Sequence, residues 1–113
     1  DEPYDLLVVA YGTVARVCLS AIRQLRSEGI KVGLFRPITL YPFPSDAVSK
    51  AAEKAGRALV IELSAGQMVE DVRLACGKDL PVAFHGRTGG NLVSPEEARE
   101  KILAQLAAKE AGR

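Results

Sequence analysis

Few side chains in this sequence could do chemistry, and they gather in short polar segments that follow apolar runs. Glu62 ends the run Ala58-Leu59-Val60-Ile61, where a carboxylate could act as a general base or pair with Arg36 or Arg87. A structural ion pair or an interface contact is the commoner fate of such a group. Ser64-Ala65-Gly66 resembles half of a nucleophile elbow but lacks the first glycine of G-x-S-x-G, and His85 is the only histidine available as a base. A hydrolase reading is rejected on both counts. His85 itself, at the end of a strand, reads as a satisfied, partly buried residue.

Gly12 and Thr13 open a helix whose N-terminal amides could hold an anion. A single glycine is not a phosphate loop, however, and neither GxGxxG nor GxxxxGK[ST] occurs. The plainer reading is a tight turn with Thr13 as N-cap. Gly66 and Gln67 offer a second helix start of the same kind. Arg87-Thr88-Gly89-Gly90 is basic and rich in backbone donors, fit to hold a phosphate or carboxylate or to dock a partner. The candidate interface or anion-contact residues are therefore Gly12, Thr13, Arg36, Glu62, Gly66, Gln67, Arg87, Gly89 and Gly90, with no catalytic, cofactor-binding or metal set among them. Cys18 and Cys76 are far apart and lie in helical patterns, so each reads as a small buried hydrophobe. With a single histidine, neither zinc nor an iron–sulfur cluster can be assembled from this chain alone.

The elements that hold these segments alternate regularly. Leu6 to Tyr11 is an unbroken apolar run, as in a strand covered on both faces. A helix follows with Val14, Val17, Cys18, Ala21, Ile22 and Leu25 on one stripe, stopped by Gly29. Ile30 to Phe35 is the second strand. Pro37, Pro42 and Pro44 keep the next connection irregular. A helix from Ser45-Asp46 turns Ala47, Val48, Ala51, Ala52 and Ala55 inward. The third strand is Ala58 to Glu62, and the third helix runs from about Gly66 to Cys76. Pro81 to His85 is the fourth strand. Ser94-Pro95-Glu96-Glu97 is a strong helix start. The last helix packs Ala98, Ile102, Leu103 and Leu106, while Glu97, Arg99, Glu100, Lys101 and Lys109 are expected to face solvent.

Strand–helix alternation implies parallel pairing and right-handed crossovers, hence a three-layer α/β/α sandwich on a mainly parallel four-stranded sheet. The chain of 113 residues fits one domain, 1–113, and 48% hydrophobic content allows it a core. With 15 basic and 14 acidic residues the charge is balanced, which leaves no footprint for nucleic acid or an anionic membrane. No apolar run approaches the roughly 20 residues of a membrane span, and the acidic start is unlike a signal peptide. A cytoplasmic location is expected. The missing initiator Met and abrupt start suggest a piece of a longer polypeptide. In open parallel sheets ligands collect at the carboxyl ends of strands, where strand order reverses.

Four stretches carry a resemblance. They are Val9 to Arg16, Gly29 to Pro44 (the most specific), Val60 to Met68, and Gly86 to Gly90 followed by Ser94 to Glu97. In order and spacing they resemble the C-terminal domain of the alpha subunit of 2-oxoacid:ferredoxin oxidoreductases, and the last pair is similar to the 2-ketoisovalerate branch. That family commonly has Asn where Ser64 stands.

The resemblance implies a fold like the C-terminal domain of transketolase, with strands in the order second, first, third, fourth. Tyr11-Gly12-Thr13 and Glu62 to Gly66 would then flank the crevice. It also implies membership of an enzyme that decarboxylates a 2-oxoacid with thiamine diphosphate and Mg²⁺. Electrons pass through an iron–sulfur cluster to ferredoxin, and acyl-CoA forms from CoA. The groups for that chemistry would lie in other domains, leaving this one a non-catalytic assembly role. Its partners would be its own subunit's N-terminal domain and the other oxidoreductase subunits, with ferredoxin met through the whole complex. The competing reading is an independent binding module for a phosphorylated small molecule or flavin at the sheet's carboxyl edge.

Overall fold

The structure, a computed structural model, describes residues 4–37, 44–62, 67–86 and 93–111. Four strands, β1 (Leu6–Val9), β2 (Val32–Phe35), β3 (Ala58–Glu62) and β4 (Val82–Gly86), alternate with helices α1 (Gly12–Ser27), α2 (Ser45–Ala55), α3 (Gln67–Cys76) and α4 (Pro95–Ala111). All strand pairs are parallel and the order is β2-β1-β3-β4, the order the resemblance implies.

The continuous apolar run of β1 serves both faces. Leu6 and Val8 point to one side and join α1 and α4 through Cys18, Ile22, Leu25 and Ile102. Leu7 and Val9 point to the other and meet α2 and α3 through Val48, Ala52, Met68 and Val72. Each fully buried large side chain contributes roughly 1.5–3 kcal/mol.

Strand and helix boundaries follow from local hydrogen bonding. β1 is shorter than its apolar run. The Ala10 amide still donates to the Phe35 carbonyl at 3.2 Å, but the next bond of the ladder needs an N–H from residue 37, and Pro37 has none. β2 starts two residues later than expected because Ile30 belongs to the end of α1. Gly29, at φ 87°, donates to the Arg26 carbonyl and Ile30 to that of Leu25, both at 3.0 Å. This is the two-bond Schellman closure that a left-handed glycine permits.

Other expectations need correction. Thr13 is not the cap of α1. Gly12, at φ 65°, makes the whole strand-to-helix turn, so the helix begins two residues earlier with Tyr11 at the capping position and no side-chain cap. Ala47 is exposed, Ala51 and Ala75 are half-buried, and so is Cys76, because α2 and α3 lay only a narrow stripe on the sheet.

The charges of α4 are not all solvated. Glu97 bonds His85. Arg99 bonds Glu28 through two 3.0 Å contacts. Lys109 donates to the Asp5 and Ala55 carbonyls at 2.9 and 2.7 Å. The start of α4 is as read: the Ser94 hydroxyl accepts from the Glu97 amide at 3.1 Å. Among the described residues no helix is long and apolar enough to cross a membrane.

Candidate functional site

The carboxyl ends of the strands carry the chemistry-bearing residues, and the structure disposes of them differently at each end. At β3, Glu62 is only 2% exposed. Its two carboxylate oxygens accept from the Met68 amide, each at 3.1 Å, and Oε2 also accepts from the Val69 amide at 3.1 Å. These are first-turn amides of α3, which have no intrahelical acceptor. A carboxylate there also faces the positive end of the helix dipole. Glu62 therefore caps α3 across the crevice. The amides that would greet a foreign anion at this helix start are already taken by the chain itself. Gln67 opens α3, whereas Gly66 and Ser64 lie outside the described residues.

At β4, His85 Nε2 and Glu97 Oε2 are 2.5 Å apart, with side chains 19% and 14% exposed. His85 is thus satisfied and partly buried, as its position suggested. Its partner, Glu97, reads in the sequence as one of the solvent-facing charges of α4, and only the structure brings the two together. The pair spans the two ends of the 87–92 connection, and Arg87, Gly89 and Gly90 within it lie outside the described residues.

The remaining candidates of the edge lie at β1 and β2. Tyr11, Gly12, Thr13, Arg16, Arg36 and Pro37 line one surface recess of about 530 Å³. Gly12, Thr13 and Arg36 are thereby brought together. Arg36 is one strand removed from β3, since β1 lies between them. The recess thus sits over β1 and β2 rather than over the β1–β3 reversal. Arg16 joins the site unannounced; its spacing of one helical turn from Gly12 and Thr13 was the available signal. Arg16 and Arg36 are exposed, and α1 has no acidic residue in its first turn.

The remaining candidates have no reactive setting. Cys18 is buried, and burial pushes its thiol up to about 12 from an ordinary 9.0. Burial first, and the nearby Glu53 second, raise Cys76 as well. The two thiols sit in α1 and α3, on opposite faces of the sheet, so they cannot ligate one cluster. Among the described residues no three His, Cys, Asp or Glu side chains gather to hold a metal ion.

Comparison with known proteins gives this geometry its relatives. The family model of pyruvate:ferredoxin oxidoreductase core domain II matches residues 5–98. The ketoisovalerate oxidoreductase subunit VorB of Methanothermobacter thermautotrophicus is 46% identical over 99 residues, which cover 87% of this chain and 28% of that protein. The 2-oxoglutarate synthase subunit KorA of Methanocaldococcus jannaschii is 37% identical over 99 residues, covering 88% and 26%. The chain thus spans about a quarter of the length of these curated relatives.

Among solved structures, a 2-oxoglutarate:ferredoxin oxidoreductase from Magnetococcus marinus superposes with a TM-score of 0.85, over 94% of this chain and 18% of that one. A split-gene transketolase gives 0.80, over 94% and 39%. Both are 20% identical and speak for the fold: a transketolase-like parallel α/β sheet. By the model match over most of its length, the chain belongs to the pyruvate:ferredoxin oxidoreductase core domain II family.

Proposed function

We propose that this chain is the non-catalytic assembly domain of an alpha subunit in a thiamine-diphosphate-dependent 2-oxoacid:ferredoxin oxidoreductase. The whole enzyme would oxidatively decarboxylate a 2-oxoacid to an acyl-CoA, passing the electrons to ferredoxin. The identity with ketoisovalerate subunits exceeds that with 2-oxoglutarate subunits, 46% against 37%, which favours a branched-chain 2-oxoacid. Thiamine diphosphate, Mg²⁺, the cluster and CoA would be bound by other domains; among the described residues no three His, Cys, Asp or Glu side chains gather to hold a metal ion. Partners are the rest of the same subunit and the other oxidoreductase subunits, in the cytoplasm.

The observation that carries this reading is the structural employment of the two groups best placed to react. The Glu62 carboxylate is committed to α3, and the His85 ring is committed to Glu97. Neither is offered to a substrate together with the other. The same Glu62 contacts weigh against a stand-alone phosphate or flavin module, because one of its two supposed anion-binding helix starts is already capped. The residues Gly12, Thr13, Arg36, Gly66, Gln67, Arg87, Gly89 and Gly90 then serve as docking surface.

The test is reconstitution. The full-length subunit, co-expressed anaerobically with its partner subunits, is assayed for CoA-dependent ferredoxin reduction with 2-ketoisovalerate and with 2-oxoglutarate. The 113-residue chain is assayed in parallel. Turnover by the assembled complex, preferring 2-ketoisovalerate, and none by the chain alone is the expected result. Ferredoxin or dye reduction by the isolated chain would refute the assembly role.

A further inference from the structure

We infer that the exposed arginines of α1 and the β2 end form a docking surface for an acidic segment of another subunit. The inference rests on the assembly reading above and names the partner chemistry of one part of that surface. Net charge is only +1, yet α1 carries Arg16, Arg23 and Arg26 and no acidic residue. Arg26 is spent within the domain: its Nε donates to the Val32 carbonyl at 2.9 Å and its guanidinium lies over the Tyr4 ring. Arg16, Arg23 and Arg36 are exposed, and among the described residues none of them has an anionic partner. The contrast is with Arg99, whose charge Glu28 answers at 3.0 Å, and with Arg73, which lies 3.9 Å from Glu70.

The placement selects the partner. Arg16 and Arg36 share the recess with Tyr11, which is 40% exposed. Tyrosine and arginine are the side chains that dominate binding energy at protein interfaces. Arg23 extends the positive charge from Arg16 by two helical turns, about 10 Å along the axis. One phosphate cannot reach both ends of that stripe, whereas a polypeptide with carboxylates spread along it can, pairing with each guanidinium in a forked contact. A separate subunit gains most from such a face. Unscreened charge steers the encounter of molecules that must find each other by diffusion, a benefit that a covalently attached domain does not need.

The experiment uses the full-length subunit co-expressed with its partner subunits. The pair Arg16→Glu with Arg36→Glu is compared with the pair Arg16→Lys with Arg36→Lys. Control is Lys78→Glu, on the connection between α3 and β4. Association is read by sedimentation at about 0.05 M and about 0.5 M salt, where screening shortens from more than 10 Å to a few Å.

Reversal should weaken association at least about tenfold at low salt, with the gap closing at high salt. The lysine pair should keep association. Treated with a zero-length carbodiimide, it should cross-link through its new amines to an acidic segment of another subunit. Unchanged circular dichroism confirms that the variants fold.

Association unchanged by reversal overturns the inference. So does cross-linking confined to this chain, to a second copy of it, or to the rest of its own subunit. In each of those cases a complex still assembles and the assembly reading survives. If the unaltered subunit forms no complex, the assembly reading itself fails.

Discussion

Replacing Glu62 separates a cap from a catalyst. In Glu62→Ala the amides of Met68 and Val69 lose the acceptors they hold at 3.1 Å, in a position 2% exposed where water cannot substitute freely. Losing a helix cap costs about 1 kcal/mol. Leaving a buried donor unsatisfied adds about 1–3 kcal/mol. Together these put Glu62→Ala at about 2–4 kcal/mol. Glu62→Gln keeps the shape and one acceptor but loses the charge that the helix dipole favours, so about 1–2 kcal/mol is expected. For a chain of this size about 1 kcal/mol moves the melting temperature by about 4 °C. Urea unfolding of the 113-residue chain measures both variants, and amide exchange should lose protection first at Met68 and Val69. A loss below about 0.5 kcal/mol in Glu62→Ala would refute the cap. In the assembled enzyme, Glu62→Gln should keep its turnover per folded complex; loss of turnover with intact stability would make Glu62 a reacting group after all.

Other outcomes follow from single contacts. A Cβ at Gly33 would sit 2.7 Å from the Tyr4 ring, so Gly33→Ala should cost about 1 kcal/mol and Tyr4→Ala should relieve the added strain in a double-mutant cycle read by urea unfolding. His85→Ala and Glu97→Ala should couple by about 1–2 kcal/mol in the same assay, and additive effects would deny the contact. The Cys18 thiol stays protonated up to about 12 in the folded chain but ionises near 9.0 once unfolded. Its contribution is fully present below pH 9 and is lost as pH rises toward 12, so stability should fall through that window and fall less steeply in Cys18→Ala.

Much of the fold was legible because its signals are local. Short apolar runs such as Ala58 to Ile61, bounded by turn residues, read as strands covered on both faces, and Ser94-Pro95 starts a helix by chemistry that needs no tertiary context. The misplacements came where a distant group, or a turn closure competing with the strand pattern, intervened. The end of β1 is set by the missing N–H of Pro37, more than twenty-five residues along the chain, and the start of β2 by the closure that takes Ile30. Glu97 reads as a surface charge on its own helix, and only the parallel pairing that sets His85 beside α4 reveals its partner. Strand order reached the reading through the family resemblance, since periodicity alone cannot choose among crossovers.

The same logic explains why a sheet edge that elsewhere holds ligands can here be docking surface. A helix N-terminus at such an edge binds an anion only while its amides are free. α3 has its first-turn amides engaged by Glu62, a residue of the preceding strand, so this end is neutralised as the chain folds. α4 is capped by Ser94 in the ordinary way. α1 and α2 both start with no side-chain cap, but α2 carries Asp46 in its first turn. By contrast, α1 starts on a glycine turn with no first-turn acid, beside Arg16 and Arg36, which have no anionic partner among the described residues. A domain that capped every helix internally would present nothing at this edge. One that left several open would spread its affinity for anions along the whole edge. An uncapped end with arginines and no first-turn acid confines the remaining affinity for acidic groups to one place among the described residues, which is the condition a specific contact with another polypeptide requires.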